Sequence, residues 1–261
     1  MYSIVDYSVL KAQMLSKKIK FICTKEFFDM DIEKPIPALN NVPSWYKNIK
    51  TSIHSITVKS CMPFLDSLTA GYIIKLPVDL KIKHNMLNPE TGKRDGDQYS
   101  SAHKGGRLFE AYHINVNTKA ESHPTHQLEG SPLLEKNKNL PIHKFMNPWL
   151  IKTPPGYSCL FVPPMNNTDD RFSIIPGIVD TDKFEHNINF PFIINGDKYE
   201  ELDTLIEKGT AIAQVIPFKR DDWKMSVEYD TKEMFHKRTM KFFTRVWKFY
   251  KTENWVKKIW R

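Results

Sequence analysis

The sequence has little cysteine, little glycine and no long apolar stretch, and each shortage excludes a class of protein. Its three cysteines, Cys23, Cys61 and Cys159, are widely spaced and odd in number, so they predict neither a disulfide framework nor a zinc site. No stretch approaches the ~20 apolar residues that a membrane span needs, and the N-terminus lacks the apolar run of a signal peptide. We therefore expect a soluble protein in a reducing compartment, the cytoplasm.

The common catalytic signatures are also missing. The 10 glycines form no phosphate-binding loop, and the chain has neither a Gly-x-Ser-x-Gly elbow nor a His-Glu-x-x-His pair. Pro124 argues against a helix that would point His123 and His126 the same way. We expect these two, with His113 and His143, to be surface or hydrogen-bonded histidines, and we predict no metal site. A histidine-metal oxygenase on a cupin-like barrel is an alternative.

What the sequence does contain is a series of short apolar segments separated by proline or glycine corners. Between residues 153 and 220 they predict strands at 157–163, 172–175, 178–179, 187–194 and 211–217. Gly156 suits a corner because glycine tolerates positive φ. We expect Gly177, which follows Pro176, to need a similar conformation that β-branched residues avoid. Short strands at this spacing predict a mainly β protein, a distorted barrel or sandwich, rather than βαβ units.

The N-terminal part is less informative. Alternating apolar residues predict one strand over residues 71–83, and residues 88–97 read as an exposed hairpin loop. We divide the chain into an N-terminal elaboration at 1–56, a β-rich core domain at 57–231 and a helical tail at 232–261.

Four motifs resemble, in order, those of the trimeric dUTPase and dCTP deaminase superfamily, which has the β-clip fold. They are Ala70-Gly71-Tyr72, Pro155-Gly156-Tyr157, Gly177-Ile178-Val179-Asp180 and Gly209-Thr210-Ala211-Ile212-Ala213-Gln214-Val215. This resemblance implies a β-clip-like core. Over residues 147–223 the chain more closely resembles an uncharacterised family of bacterial and phage proteins of unknown function, and that resemblance implies no activity.

The β-clip resemblance implies a small-molecule site. In that superfamily the matching acid orients a sugar or activates a water, so Asp180 and Asp182 are the candidate catalytic residues, with a turn cap as the alternative role for Asp180. The candidate ligand-binding residues are Tyr72, Asn166, Asn167 and Gln214. The superfamily holds phosphate with a Pro-Arg-Ser motif, whereas residues 163–167 here contain no cation. We therefore do not expect dUTP hydrolysis, and the sequence specifies no cofactor.

The C-terminal tail, residues 232–261, carries the net charge of the chain. It has ten basic residues and two acids, a net +8 that equals the +8 of the whole chain, so the other 231 residues are neutral overall. Aromatic residues recur among the cations at helical spacing and predict a basic amphipathic helix. Its candidate contact residues are Arg238, Lys241, Arg245 and Trp247. Such a helix can dock on the barrel, clasp a neighbouring subunit, or bind nucleic acid or another polyanion.

The leading functional prediction is the binding of a small phosphorylated or nucleotide-like ligand. The alternative is a structural or interaction protein of a phage particle or infection complex, with the tail as its assembly element. We expect a homo-oligomer, and the resemblance to trimeric enzymes makes a trimer one candidate. The Lys-, Asn- and Ile-rich composition is typical of an AT-rich genome and fits a phage protein, located in the host cytoplasm or the virion.

Overall fold

The fold consists of many short strands and few helices. A computed structural model describes residues 17–30, 32–99, 122–243 and 249–261, with the backbone alone at 95–99 and 241–243. The strands of the described residues are β1 (Lys20–Ile22), β2 (Ile36–Pro37), β3 (Tyr72–Lys75), β4 (Leu80–Leu87), β5 (Arg94–Tyr99), β6 (Ser122–His123), β7 (Ile142–Phe145), β8 (Leu150–Lys152), β9 (Tyr157–Val162), β10 (Phe172–Ile174), β11 (Gly177–Val179), β12 (Phe190–Ile194), β13 (Leu202–Ile206) and β14 (Ala211–Lys219). The α-helices there are α1 (Lys25–Asp29), α2 (Ser44–Asn48), α3 (Met62–Thr69), α4 (Pro132–Lys136) and α5 (Lys232–Phe243). Short 3₁₀ turns lie at Ala38–Asn41, Val58–Ser60 and Thr125–Leu128, and a π-type turn lies at Tyr250–Asn254.

The strands form four antiparallel sheets, and we call the described residues from 17 to 220, which contain these sheets, the body. Their strand orders are β11-β9-β14-β3-β2, β10-β12-β7-β6, β13-β4-β5 and β1-β8. The prediction of a mainly β protein is confirmed. The predicted N-terminal elaboration contributes two strands to these sheets, because β1 pairs with β8 and β2 pairs with β3.

The largest apolar core cluster contains buried residues from all four sheets. Phe145 of β7 stacks on Phe192 of β12 with ring centroids 3.8 Å apart. Phe172 of β10 meets both rings edge-on. Burying an aromatic side chain of this size stabilises a fold by roughly 1.5–3 kcal/mol. The shared core therefore fixes the sheets, and with them the loops at their ends.

The strand predicted over residues 71–83 is in fact two strands in different sheets, so that prediction was wrong. β3 ends at Lys75, the chain bends at Pro77, and β4 begins at Leu80. Proline has no N–H for a ladder and a fixed φ, so it interrupts a central strand. The alternation nevertheless predicted burial correctly, because the apolar residues on both sides of the bend are buried. These are Ile74, Leu76, Val78, Leu80 and Ile82.

Three glycines lie at strand corners, and the predicted conformation holds for Gly156 but not for Gly177. Gly156 has φ +83°, as expected. Gly177 does not have positive φ, and a Cβ there would meet nothing within 4 Å, so the expectation of a special conformation was wrong. Gly71 is the demanding position, because its φ is +67° and an added Cβ would lie 2.0 Å from the backbone oxygen of Val215. Only glycine allows β3 and β14 to approach this closely at that point.

Beyond β14 the chain leaves the body. Residues 221–231, the extended segment, contain no helix or strand, and residues 221–230 make no backbone hydrogen bond to another described residue. Helix α5 follows, and its residues 232–238 are all exposed. Residues 255–261, the terminal segment, return to the body beside Tyr72. No helix in the described ranges is long and apolar enough to cross a membrane.

Candidate functional site

Two acids and an arginine meet where β11 and β14 end and β9 begins. Asp180 and Asp182 follow β11, and Arg220 follows β14. The Arg220 guanidinium donates to both carboxylate oxygens of Asp182, with Nη1 3.0 Å from Oδ1, and to Asp180 Oδ1 at 3.2 Å. Ser158 Oγ donates to Asp180 Oδ1 at 2.6 Å, and the Gly156 N–H donates to Asp182 Oδ2 at 2.8 Å. We call these five residues the acid–arginine cluster.

The two acids of the acid–arginine cluster differ in chemistry. The side chain of Asp182 is 5% exposed, whereas that of Asp180 is 57% exposed. Hydrogen bonds from Arg220 and from the Gly156 N–H lower the pKa of Asp182 to about 2. A general base works best when its pKa is close to the working pH, so Asp182 is suited to holding the Pro155–Gly156 corner. Asp180 Oδ2 has no hydrogen-bond partner among the described residues, which makes Asp180 the acid that can meet a ligand. Catalytic roles for both acids stay predictions.

The predicted ligand-binding residues around Gln214 make hydrogen bonds within the protein. Gln214 is buried, and its Oε1 accepts from the Met165 N–H at 2.8 Å. Its Nε2 donates to the carbonyl oxygens of Ser67, at 2.9 Å, and Ala70, at 2.7 Å. Asn166 Nδ2 donates to Ser67 Oγ at 2.7 Å. These contacts fasten the loop after β9 to α3, and they use both N–H groups of the Gln214 amide. Ligand binding by Gln214 and Asn166 stays a prediction.

The terminal segment covers the surface around Tyr72, the fourth predicted ligand residue. Tyr72 donates its hydroxyl to the Arg261 carbonyl oxygen at 3.2 Å, and its ring meets Trp260 edge-on. Asp66 of α3 accepts from Trp255 Nε1 at 3.0 Å and from Lys258 Nζ at 2.6 Å. Between the terminal segment and the body lies a half-open cavity of about 320 Å³. Its lining from the body comprises Leu39, Leu65, Asp66 and Thr69.

The extended segment exposes an alternating row of large apolar side chains. Trp223, Met225, Val227 and Tyr229 are 88%, 91%, 86% and 98% exposed, respectively. The residues between them, at 224, 226, 228 and 230, are Lys, Ser, Glu and Asp. In an extended chain alternate side chains lie on opposite faces, so this segment has one apolar face and one polar face. Such a pattern is typical of a strand whose apolar face packs on another layer of the protein or on a partner, yet no described residue covers the apolar face of this segment.

No protein-family model matches this chain. A comparison with curated proteins also finds no match. The resemblances to the β-clip superfamily and to the phage family therefore stay predictions.

Two buried histidines, His84 and His143, contact each other. No group of three or more His, Cys, Asp or Glu side chains in the described part of the chain could hold a metal ion. His84 Nδ1 lies 3.1 Å from His143 Nε2, and His84 Nε2 lies 3.2 Å from the Asn137 carbonyl oxygen. Burial lowers the pKa of His84 to about 4 and that of His143 to about 3. His123 contacts Gln127 Oε1 at 2.7 Å, and His113 lies outside the described residues.

The predicted tail residues can be followed only in part. Arg238 of α5 is exposed and pairs with Asp230 of the extended segment at 2.8 Å. Lys241 lies in α5, but its side chain, like all of Arg245 and Trp247, lies outside the described residues. The polyanion contact predicted for these residues therefore stays a prediction.

The predicted site residues form separate groups rather than one site. Asn167, like Asn166, contacts the N-terminal part of the body, with Nδ2 3.4 Å from the Asn41 carbonyl oxygen. No side-chain hydrogen bond among the described residues joins the acid–arginine cluster to Tyr72 or Gln214. The sequence analysis did not identify Arg220, which directly follows β14. It also missed His84, whose signal was its place in a continuing alternation after Ile82.

Proposed function

We propose that this protein is an interaction protein that assembles with a partner through its C-terminal arm, residues 221–243. The observation that carries the proposal is the near-complete exposure of the apolar face of the extended segment. Contiguous exposed apolar patches on folded proteins typically mark interaction sites, because apolar surface is more stable when removed from water. A component of a phage particle or infection complex is the form of this function that the sequence favours.

The hydrogen bonds already made by the predicted site residues favour an assembly role over a ligand-binding or catalytic one. Gln214, Asn166 and Asp182 are engaged in hydrogen bonds that fasten loops to one another. Groups that are already paired must break those bonds before they can bind a ligand, and this lowers the net gain. The body is therefore suited to act as a rigid platform, with a β-clip-like arrangement as its proposed fold, and the arm is suited to act as the binding element.

A photo-crosslinking residue in place of Tyr229 tests this function in cells that make the full chain. We expect covalent adducts at position 229, because Tyr229 lies on the face that a partner would cover. Leu87 is the control position, since it is also a large exposed side chain, but on the β4–β5 hairpin of the body. Equal adduct yields at 229 and 87 would refute an interaction role for the arm.

A small phosphorylated or nucleotide-like ligand is the second candidate function, favoured by the cavity beneath the terminal segment. Its volume of about 320 Å³ lies at the lower end of the ~300–1,000 Å³ range of ligand pockets. Lys257, Lys258 and Arg261 line it, and cations of this kind bind phosphate. A thermal-shift screen of nucleotides tests this function, because a ligand at ~100 times its Kd stabilises a fold by ~2.7 kcal/mol. A Lys257→Ala variant that keeps the full shift would place the ligand elsewhere.

A further inference from the structure

We propose that the partner of the C-terminal arm is a second copy of this chain, bound by antiparallel pairing of two extended segments about a two-fold axis. The proposal rests on the proposed function, since it names the partner of the same arm. It starts from the backbone of residues 221–230, which makes no backbone hydrogen bond to another described residue and so offers strand edges on both sides. Pairing of one exposed strand with another is a common mode of association.

The order of side chains selects one register. With Ser226 on the axis, Trp223 lies opposite Tyr229 of the second copy, and Met225 lies opposite Val227. All four apolar side chains of each copy then fall on one face of the two-stranded ribbon. A shift by one residue would put the apolar side chains of one copy on the same face as the polar side chains of the other. The register centred on Ser226 is therefore the one in which the whole alternating segment is self-complementary.

The polar face of the ribbon agrees with this register. Lys224 lies opposite Glu228 of the second copy, and the symmetry makes this ion pair twice. Asp222 lies opposite Asp230 of the second copy, which would be repulsive if both were uncompensated. Asp230 is already paired with Arg238 of its own helix at 2.8 Å. The charges therefore favour the pairing at its centre and do not oppose it at its ends.

Helix α5 has the charge and the apolar surface needed to cover the ribbon. Residues 221–231 contain four acids and one lysine, a net charge of −3, and α5 contains four basic residues and one acid, a net charge of +3. Met234 and Phe235 on α5 are 45% and 66% exposed. A two-stranded ribbon is marginal in water unless a further layer packs on it. The α5 helices of the two copies supply that layer on the apolar face, and their net positive charge offsets the net negative charge of the ribbon as a whole.

The apolar area is sufficient for a stable dimer. Two nearly fully exposed aromatic side chains per copy, Trp223 and Tyr229, supply roughly 300–500 Å², at 150–250 Å² each. Met225, Val227, Met234 and Phe235 add to this area, towards the ~800 Å² per partner of a standard interface.

Sedimentation of the purified full chain tests the stoichiometry. We expect a mass twice the 30.6 kDa of the chain, and a monomer for Met225→Asp, whose substitution lies outside the body and leaves its fold intact. The charge pair gives the sharper test. Lys224→Glu and Glu228→Lys should each weaken the dimer about 5- to 30-fold, since two pairs change sign. The double variant should restore the wild-type affinity, and Lys93→Glu on the body should leave it unchanged.

Disulfide trapping tests the axis directly. Directly opposed residues in an antiparallel ribbon have Cα atoms ~4.5–5.5 Å apart, which suits a disulfide. In a Cys61→Ser background, Ser226→Cys should form a covalent dimer with oxidised glutathione, whereas Lys224→Cys should not. Equal trapping at both positions, a trimeric mass, or a dimer insensitive to Met225→Asp would overturn the proposal. A monomeric chain that still forms adducts at position 229 would overturn the second copy as partner and leave the proposed function standing.

Discussion

Replacing Gly71 with alanine should destabilise the protein by about 2–5 kcal/mol. The new Cβ would lie 2.0 Å from the carbonyl oxygen of Val215, far inside van der Waals contact. That oxygen belongs to β14, which is held on both sides by β3 and β9, so it cannot move away freely. Alanine at a φ of +67° costs ~1–2 kcal/mol, and forcing extra volume into a packed site costs ~1–3 kcal/mol more.

Alanine variants of two other glycines allow the conformational cost to be measured apart from the cost of the steric clash. Gly92 has φ +66° but nothing within 4 Å of its Cβ position, so Gly92→Ala should cost only the conformational part, ~1–2 kcal/mol. Gly177 has neither feature, and Gly177→Ala should stay within ~0.5 kcal/mol of the wild type. Urea unfolding followed by circular dichroism measures all three. If Gly71→Ala falls within ~1 kcal/mol of Gly92→Ala, the close approach of β3 and β14 is not present in solution.

Three further predictions concern titratable groups. Because the pKa of Asp182 is lowered to about 2 in the folded state, its contribution to stability is present above its ordinary value of 3.8 and is lost as pH falls towards 2. The melting temperature of Asp182→Asn should therefore lie well below that of the wild type at pH 7, and the difference should shrink at pH 3; an unchanged difference would contradict the role of this acid. His84 and His143 have lowered pKa values in the folded state. As pH falls from 6.5 to about 4, these two side chains bind protons in the unfolded chain but not in the folded one, so the free energy of unfolding should decline over this range. Nitrogen NMR shifts should show both rings neutral at pH 5.5, and protonated rings would refute the buried pair. Cys61 is exposed, whereas burial raises the pKa of the Cys159 thiol to about 11; a thiol reagent should label Cys61 in the native protein and Cys159 only after unfolding, as mass spectrometry of peptides can check.

The sequence predicted the strands whose burial alternates and the corners that proline or glycine makes. β9 and β14 were found because their apolar residues recur between unmistakable turn formers. β13 was missed because only its ends, Leu202 and Ile206, are buried, and its middle residues are at least partly exposed. The break at Pro77 was missed because the same apolar face continues into the core on both sides of it. Periodicity reports burial, and it does not report which sheet a strand joins.

The candidate site was less predictable than the fold. The sequence singled out Asp180 and Asp182, but it gave no reason to bring Gly156 or Arg220, about 40 residues later, to the same point. That contact depends on β14 pairing with β9, which is a property of the whole sheet. The exposure of Trp223 could not be predicted either, because an alternating segment is normally assigned to the interior.

The pairing of β3 with β14 also determines how this chain can be made. Tyr72 lies opposite Val215, so β3 leaves the ribosome about 140 residues before its longer neighbour β14 exists. At ~5–20 residues per second, this delay is roughly 7–30 s, during which β3 can pair only with the two-residue strand β2. Contacts so distant in sequence also slow folding after release. We expect the growing chain to depend on chaperones during this interval. Slower synthesis at low temperature lengthens the interval, so it should raise the yield of folded protein only if chaperones remain bound to β3.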